Sequence, residues 1–294
     1  GRFDPVVCAD LLNAGRTGRA TPGLMAELRR RSPAATDAEV RVPTLLVQGL
    51  ADSLFGLDQA DATAAALARA GTPFAVHWTD GGHDAEASNP GADQAAVLAW
   101  FDTHLRGGTP TVPVFRYPGP RPFGDGVADT FTADRYPGLA NPAAGPVVLA
   151  LDDPAAGVLT PPGGQPASLT RAIPFGGTNN GSSNNNTLQA YPLAALPGQS
   201  AAFDTGTVES KAEIVGAPKV RLRVTSTANE VTLFVSLWQV NGATAAQPRR
   251  GVAPVRVPVV PGVPTEVEVT LPAGTWVLEP GSTWRILVTS TDQS

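Results

Sequence analysis

The sequence predicts two architectures in succession, an α/β segment and then an all-β region. Three observations predict this: a composition shift near residue 108, short apolar runs alternating with helical patterns before it, and period-two alternation after it. Residues 1–108 hold 6 of the 29 prolines and are rich in Ala and Leu. Residues 109–294 hold the other 23 and are rich in Pro, Val and Thr. The change falls at Arg106-Gly107-Gly108-Thr109-Pro110, where glycine ends a helix and proline forbids its continuation.

Val6 to Asn13 reads as a short helix stopped at Gly15. Thr21 caps a second helix, with Pro22 at its first position and its end before Pro33. Arg29-Arg30-Arg31 lies in its last turn, where positive charge complements the helix dipole. Pro43-Thr-Leu-Leu-Val-Gln-Gly49 is a short apolar run bounded by Pro and Gly. It fits a strand buried on both faces of a parallel sheet. Asp58 to Ala70 is an Ala-rich helix stopped by Gly71, and Pro73 to Thr79 is a second strand. Ala92 to Arg106 is a closing helix with Val97, Leu98, Phe101 and Leu105 on one face. The order is βαβα, so the two strands are parallel and their carboxyl ends share one edge.

In the second region Val220–Thr225 and Val231–Val240 alternate. Leu233, Val235 and Leu237 point one way, and Phe234, Ser236 and Trp238 the other. Val255–Val259, Glu266–Leu271 and Trp284–Thr289 follow, separated by turns such as Pro261-Gly262 and Pro280-Gly281. This spacing predicts a β-sandwich of jelly-roll type. Trp238, Trp276 and Trp284 suit its packing better than a ligand platform. Gly176 to Thr187 is a polar, low-complexity loop.

The chain has 294 residues, 42% hydrophobic and 16% charged, enough for roughly two folded domains. A net charge of −5 argues against a nucleic-acid partner. No apolar run is long enough to span a bilayer. The single cysteine, Cys8, excludes an internal disulfide framework and a cysteine-based zinc cluster, and leaves the compartment open.

Two residues stand where a ligand crevice is expected. The first strand ends in Gly49-Leu50-Ala51-Asp52 and the second in Asp80-Gly81-Gly82-His83-Asp84. An acid after one parallel strand and a histidine after the next face the same crevice. This is the acid-then-histidine order of α/β-hydrolases, whose nucleophile comes earlier in the chain. Such a carboxylate accepts a hydrogen bond from Nδ1–H, fixes the tautomer and stabilises the imidazolium. Asp52 can alternatively cap a following turn. Asp80 and Asp84 are rival acids, but they lie too close in sequence to His83 for a natural supporting geometry. His77 and His104 read as structural. No Gly-x-Ser-x-Gly elbow is present: Gly181-Ser-Ser183-Asn-Asn185 and Gly198-Gln-Ser200-Ala-Ala202 are imperfect and follow the histidine. Cys8 lies in a helix without an elbow. The nucleophile, the oxyanion donors and most of the sheet are therefore expected upstream of Gly1.

Val42-Pro-Thr-Leu-Leu-Val-Gln-Gly-Leu-Ala-Asp-Ser-Leu-Phe55, followed by Gly81-Gly82-His83, resembles the cocaine esterase and X-Pro dipeptidyl-peptidase group of α/β-hydrolases. Phe203-Asp-Thr, Ile214 to Ser226 and Glu279 to Asp292 are similar to that group's C-terminal jelly roll, a galactose-binding-like β-sandwich. The resemblance implies three units: 1–40, the end of a helical cap; 41–108, the C-terminal part of the hydrolase domain; and 109–294, the jelly roll. It implies ester or amide hydrolysis through an acyl-enzyme, with Asp52 as triad acid, His83 as general base and the serine outside this chain. It implies no cofactor and no metal. The partners would be a small ester or short peptide substrate and the upstream hydrolase segment. The competing reading is a non-catalytic β-sandwich binding module joined to a hydrolase remnant.

Overall fold

The computed structural model describes residues 4–36, 39–52, 54–83, 85–119, 127–140, 159, 200–241, 244–247 and 251–290. Two helices come first, α1 (Pro5–Thr17) and α2 (Pro22–Arg31). The side chains of Asp4 and Thr21 cap them, accepting from the N–H groups of Val6 and Leu24. α1 runs through Gly15, where the sequence predicted its end. The stop is Gly18, which takes the left-handed conformation (φ 65°) and donates its N–H to the Ala14 carbonyl. Glycine inside a helix costs only about 1 kcal/mol, whereas a left-handed cap strongly favours one.

The expected βαβα order follows as β1 (Thr44–Gly49), α3 (Leu57–Ala70), β2 (Phe74–Thr79) and α4 (Pro90–Arg106). β3 (Phe115–Pro118) and β4 (Thr130–Ala133) then complete a sheet of order β1-β2-β3-β4. β1, β2 and β3 are parallel, and β4 is antiparallel to β3. The expected boundary at residue 109 had assigned these last two strands to the β-sandwich. A Gly/Pro stop ends a helix but does not say which sheet the next strand joins. The core of this sheet comprises Leu57 and Ala64 of α3, Val76 and Trp78 of β2, and Phe115 of β3. Trp78 meets Phe115 edge-on at 5.1 Å. The Arg116 side chain reaches back to α4, donating to the Asp93 carboxylate and to the Ala92 carbonyl.

Two expectations about burial are corrected. β1 pairs only with β2 among the described residues, and Val47 is 43% exposed rather than buried on both faces. α4 buries no residue, and Leu98, Phe101 and Leu105 are 62%, 53% and 76% exposed. An apolar stripe records that a face needs cover; it does not say that the cover lies in the same segment.

The β region contains β5 (Ser200–Asp204), β6 (Ala212–Gly216), β7 (Lys219–Val224), β8 (Glu230–Asn241), β9 (Thr244–Ala246), β10 (Val252–Pro258), β11 (Thr265–Thr270), β12 (Gly274–Leu278) and β13 (Thr283–Thr289). One antiparallel sheet has the order β10-β8-β13-β5, with β9 beside β8. β11 pairs with β7, and β12 with β6. Leu233 and Val235 of β8 and Ile286 and Val288 of β13 pack with Val267 and Val269 of β11. Burying these branched side chains between strand layers is the main source of stability here. Trp276 and Trp284 form a second cluster, and Trp238 a third. All three tryptophans are buried. The outward residues Lys219, Arg221 and Arg223 of β7 pair with Glu266 and Glu268 of β11. No helix among the described residues is long and apolar enough to cross a membrane. The polar loop Gly176–Thr187 lies outside the described residues.

Candidate active site

The carboxyl ends of β1 and β2 are in backbone contact. Leu50 N–H donates to the Thr79 carbonyl at 2.9 Å, and Ala51 N–H to the Gly81 carbonyl at 2.9 Å. Glycine makes this approach possible. A Cβ on Gly49 would overlap the Gly81 carbonyl, and one on Gly82 would overlap the Ala51 carbonyl carbon and the Asp52 nitrogen. The loop bearing Asp52 and the loop bearing His83 therefore touch through atoms adjacent to both residues.

The Asp52 carboxylate organises its own turn. Its Oδ1 accepts from Leu54 N–H at 2.9 Å and Phe55 N–H at 2.8 Å. Its Oδ2 accepts from Gln48 Nε2 at 3.3 Å, and the same amide donates to the Phe55 carbonyl at 2.7 Å. The turn-capping alternative is thus realised. It engages Oδ1 twice, while Oδ2, with the single bond from Gln48, keeps further accepting capacity. Gln48 holds the turn from β1, and no motif in the sequence announced it.

Asp52 and His83 line one open cleft of 1340 Å³. Leu28 and Arg31 of α2, Phe55, and Gln59 and Thr63 of α3 contribute to its walls. His83 is exposed at the rim. Arg31 and Arg30 both pair with Glu27, whose carboxyl they hold down at about 2.

Other candidates fall elsewhere. Asp80 is buried, and its Oδ1 accepts from Ser88 N–H at 2.8 Å. Asp84 lies outside the described residues, as do Gly181 to Asn185. Ser200 opens β5 opposite Thr289, in the β region. Cys8 is half-buried on α1. His77 is fully buried on β2 with its Nε2 3.0 Å from the Pro113 carbonyl, and His104 packs against Trp100 at 4.3 Å. Burial, helped by the nearby Arg116 charge, lowers the His77 imidazole below its usual range.

The profile of the X-Pro dipeptidyl-peptidase C-terminal non-catalytic domain matches residues 136–294. The chain belongs to this family. The matched segment covers the β region and leaves Asp52 and His83 outside it. Among solved structures, an aminopeptidase from a marine sediment archaeon, Thaumarchaeota archaeon, aligns at 16% identity with a TM-score of 0.61, over 90% of this chain and 50% of its own. An alpha-amino acid ester hydrolase aligns at 18% and 0.61, again over 90% and 50%. A CocE/NonD family hydrolase from Staphylococcus aureus aligns at 12% and 0.56, over 87% and 47%. At these identities the likeness concerns the fold. The relatives are hydrolases, and the chain spans about half the length of these solved structures. No curated protein matches the chain.

Proposed function

We propose that this chain is the C-terminal part of a Ser-Asp-His hydrolase of esterase or X-Pro dipeptidyl-peptidase type. It supplies the triad acid, Asp52, and the general base, His83; an upstream segment supplies the serine and the oxyanion donors. The observation that carries this reading is the backbone contact between the two strand tips, which brings Asp52 and His83 to one cleft. Among the described residues β1 pairs on one side only and the apolar stripe of α4 stays exposed; these features and the half-length match to the solved hydrolases support an upstream partner segment. In this reading 1–40 is the end of a cap, the hydrolase part begins at residue 41, and the β region is a jelly roll.

The chemistry follows from the residue types. Asp52 Oδ2 accepts a hydrogen bond from His83 Nδ1–H and so leaves Nε2 as the base. Nε2 takes the serine proton as Oγ attacks the substrate carbonyl, and returns it to the departing alcohol or amine. Water then attacks the acyl-enzyme, again losing a proton to Nε2, and the acid leaves as the serine reforms. The substrate is a small ester or a short peptide.

The competing binding-module reading predicts exposed aromatic side chains in the β region. The burial of Trp238, Trp276 and Trp284 weighs against it. The test is fluorophosphonate labelling of the native protein that contains this chain, read by mass spectrometry. A labelled serine upstream of residue 1 is expected. Asp52→Asn should lower turnover by about 10⁴ and His83→Ala by at least as much. Unchanged turnover in Asp52→Asn would remove Asp52 from the triad.

A further inference from the structure

The loop that presents His83 is closed at its base by a buried carboxylate. Asp80 follows β2 and is 7% exposed. Its Oδ1 accepts the Ser88 N–H at 2.8 Å and so ties the two ends of the loop together. Inside the loop, Gly82 N–H donates to the Ala85 carbonyl at 2.8 Å. On the far side, Ser88 Oγ accepts from Ala128 N–H at 3.3 Å, two residues before β4. A short chain of bonds therefore runs from the end of β2, across the foot of the loop, to the strand that ends the sheet.

We infer that Asp80 and Ser88 are positioning residues for His83. Asp80 is thus not a rival to Asp52 but the group that holds the imidazole near it. The inference rests on the proposed role of His83. A carboxylate accepting a backbone N–H away from water makes a charge-assisted bond, stronger than a neutral one. Glycine at 82 permits the close approach of the two loops, and glycine at 81 lets the His83 loop fold tightly against Ala85 and Ala87, but neither residue restrains the backbone. The Asp80 bond opposes that freedom. Ser88 passes the restraint to Ala128, so His83 is referenced to both β2 and β4. This explains why a buried acid stands directly before Gly81-Gly82-His83 without being the acid of a triad.

The test uses the native protein that contains this chain and follows the imidazole signals of His77, His83 and His104. Replacing His83 by Gln assigns its signal. In Asp80→Ala, the exchange protection of the Ser88 and Gly82 amides should fall by about tenfold, and the His83 ring signals should move toward free imidazole. In Asp80→Asn, whose amide oxygen still accepts the Ser88 N–H, most of both should be retained. A purely structural loss would shift the His77 and His104 signals as well; positioning moves His83 alone. Unchanged protection and an unmoved His83 signal in a folded Asp80→Ala would overturn the inference. Should that variant not fold, Ser88→Ala decides, because it cuts only the outer bond: a moved His83 signal supports the inference, and an unmoved one overturns it. The catalytic reading is checked separately in the wild-type loop. If Asp52→Asn leaves the His83 ring shifts untouched there, the pairing with Asp52 fails while the amide data still judge Asp80.

Discussion

Single residues in this chain carry two kinds of task, and His77 shows how burial separates them. It stands six residues before His83, is fully buried, and its Nδ1 has no hydrogen-bond partner among the described residues. Burial lowers its imidazole first, and the Arg116 charge adds to this. The folded protein therefore binds the proton less readily than the unfolded chain. Above the unfolded value, about 6.5, both states are neutral and nothing is lost. As pH falls below that value the unfolded chain protonates first, and stability declines. His77→Gln, which can still donate to the Pro113 carbonyl, should flatten this decline. Urea unfolding at about pH 7.5 and pH 5.5 measures it, and equal loss in both proteins would clear His77 of the effect. Asp52 shows a different case. Both of its oxygens serve the turn, Oδ1 by accepting from Leu54 and Phe55 and Oδ2 by accepting from Gln48. A carboxylate oxygen with one donor can still accept another, so the turn does not preclude the proposed role.

At the scale of elements, the sequence made the order legible and the surroundings illegible. β1, α3, β2 and α4 follow from apolar runs and glycine stops, because those signals are local. The hydrogen bond of Gln48 to the Asp52 turn and the closure of the His83 loop by Asp80 are not visible, because they join residues with no periodic relation. The missed short strands β3, β4, β5, β6, β9 and β12 have the same cause: three to five residues hold too little alternation to be recognised before their partners are known. The exposed face of α4 is the opposite case, where the pattern was readable and its cover is not among the described residues. The glycines at the strand tips yield a sharp prediction. A methyl group on Gly82 would overlap backbone atoms of Ala51 and Asp52, which have no flexible side chain to yield. Gly82→Ala should therefore part the two loops and expose the Ala51 and Leu50 amides to exchange. Gly91→Ala, in α4 with only distant neighbours, should leave them protected. Equal protection in both variants would mean that the tips are not in the described contact.

For the whole molecule the question is what fixes the α/β part to the β region, since β3 and β4 already link the two along the chain. Among the described residues two contacts of unlike physics bear on this attachment. One is an ion pair between the turn after α1 and the β region, and the other is a packed joint where Ala273 and the segment after β4 meet the α/β core. At the turn after α1, Arg19 donates to both oxygens of Glu230 at 2.6 and 2.8 Å, and Arg256 Nη1 donates to the Gly18 carbonyl at 2.8 Å. Arg19 is mostly in water and Glu230 and Arg256 are partly so, and an ion pair at such a surface is worth about 1 kcal/mol or less and weakens with salt. Beside α3, Asp61 Oδ1 accepts from the Tyr136 hydroxyl and from Leu139 N–H, each at 2.9 Å. There Tyr136 packs edge-on against Phe115 at 5.0 Å, and Ala273 of the β region joins the same apolar cluster. Burial and the neighbouring carboxylate push the Tyr136 phenol up, so it stays a donor throughout the working range. Removing Asp61 would strand two donors in a half-buried place, at a cost of about 1–3 kcal/mol. Glu230→Gln should accordingly loosen only α1 and α2, raising their amide exchange slightly, and about 1 M salt should do the same to the wild type. Asp61→Ala should lower the unfolding midpoint of the whole chain and be nearly indifferent to salt. If Glu230→Gln proved the more damaging of the two, the α/β part would be held by charge at the cap rather than by the packed joint at Tyr136, and its attachment would fail first at high ionic strength.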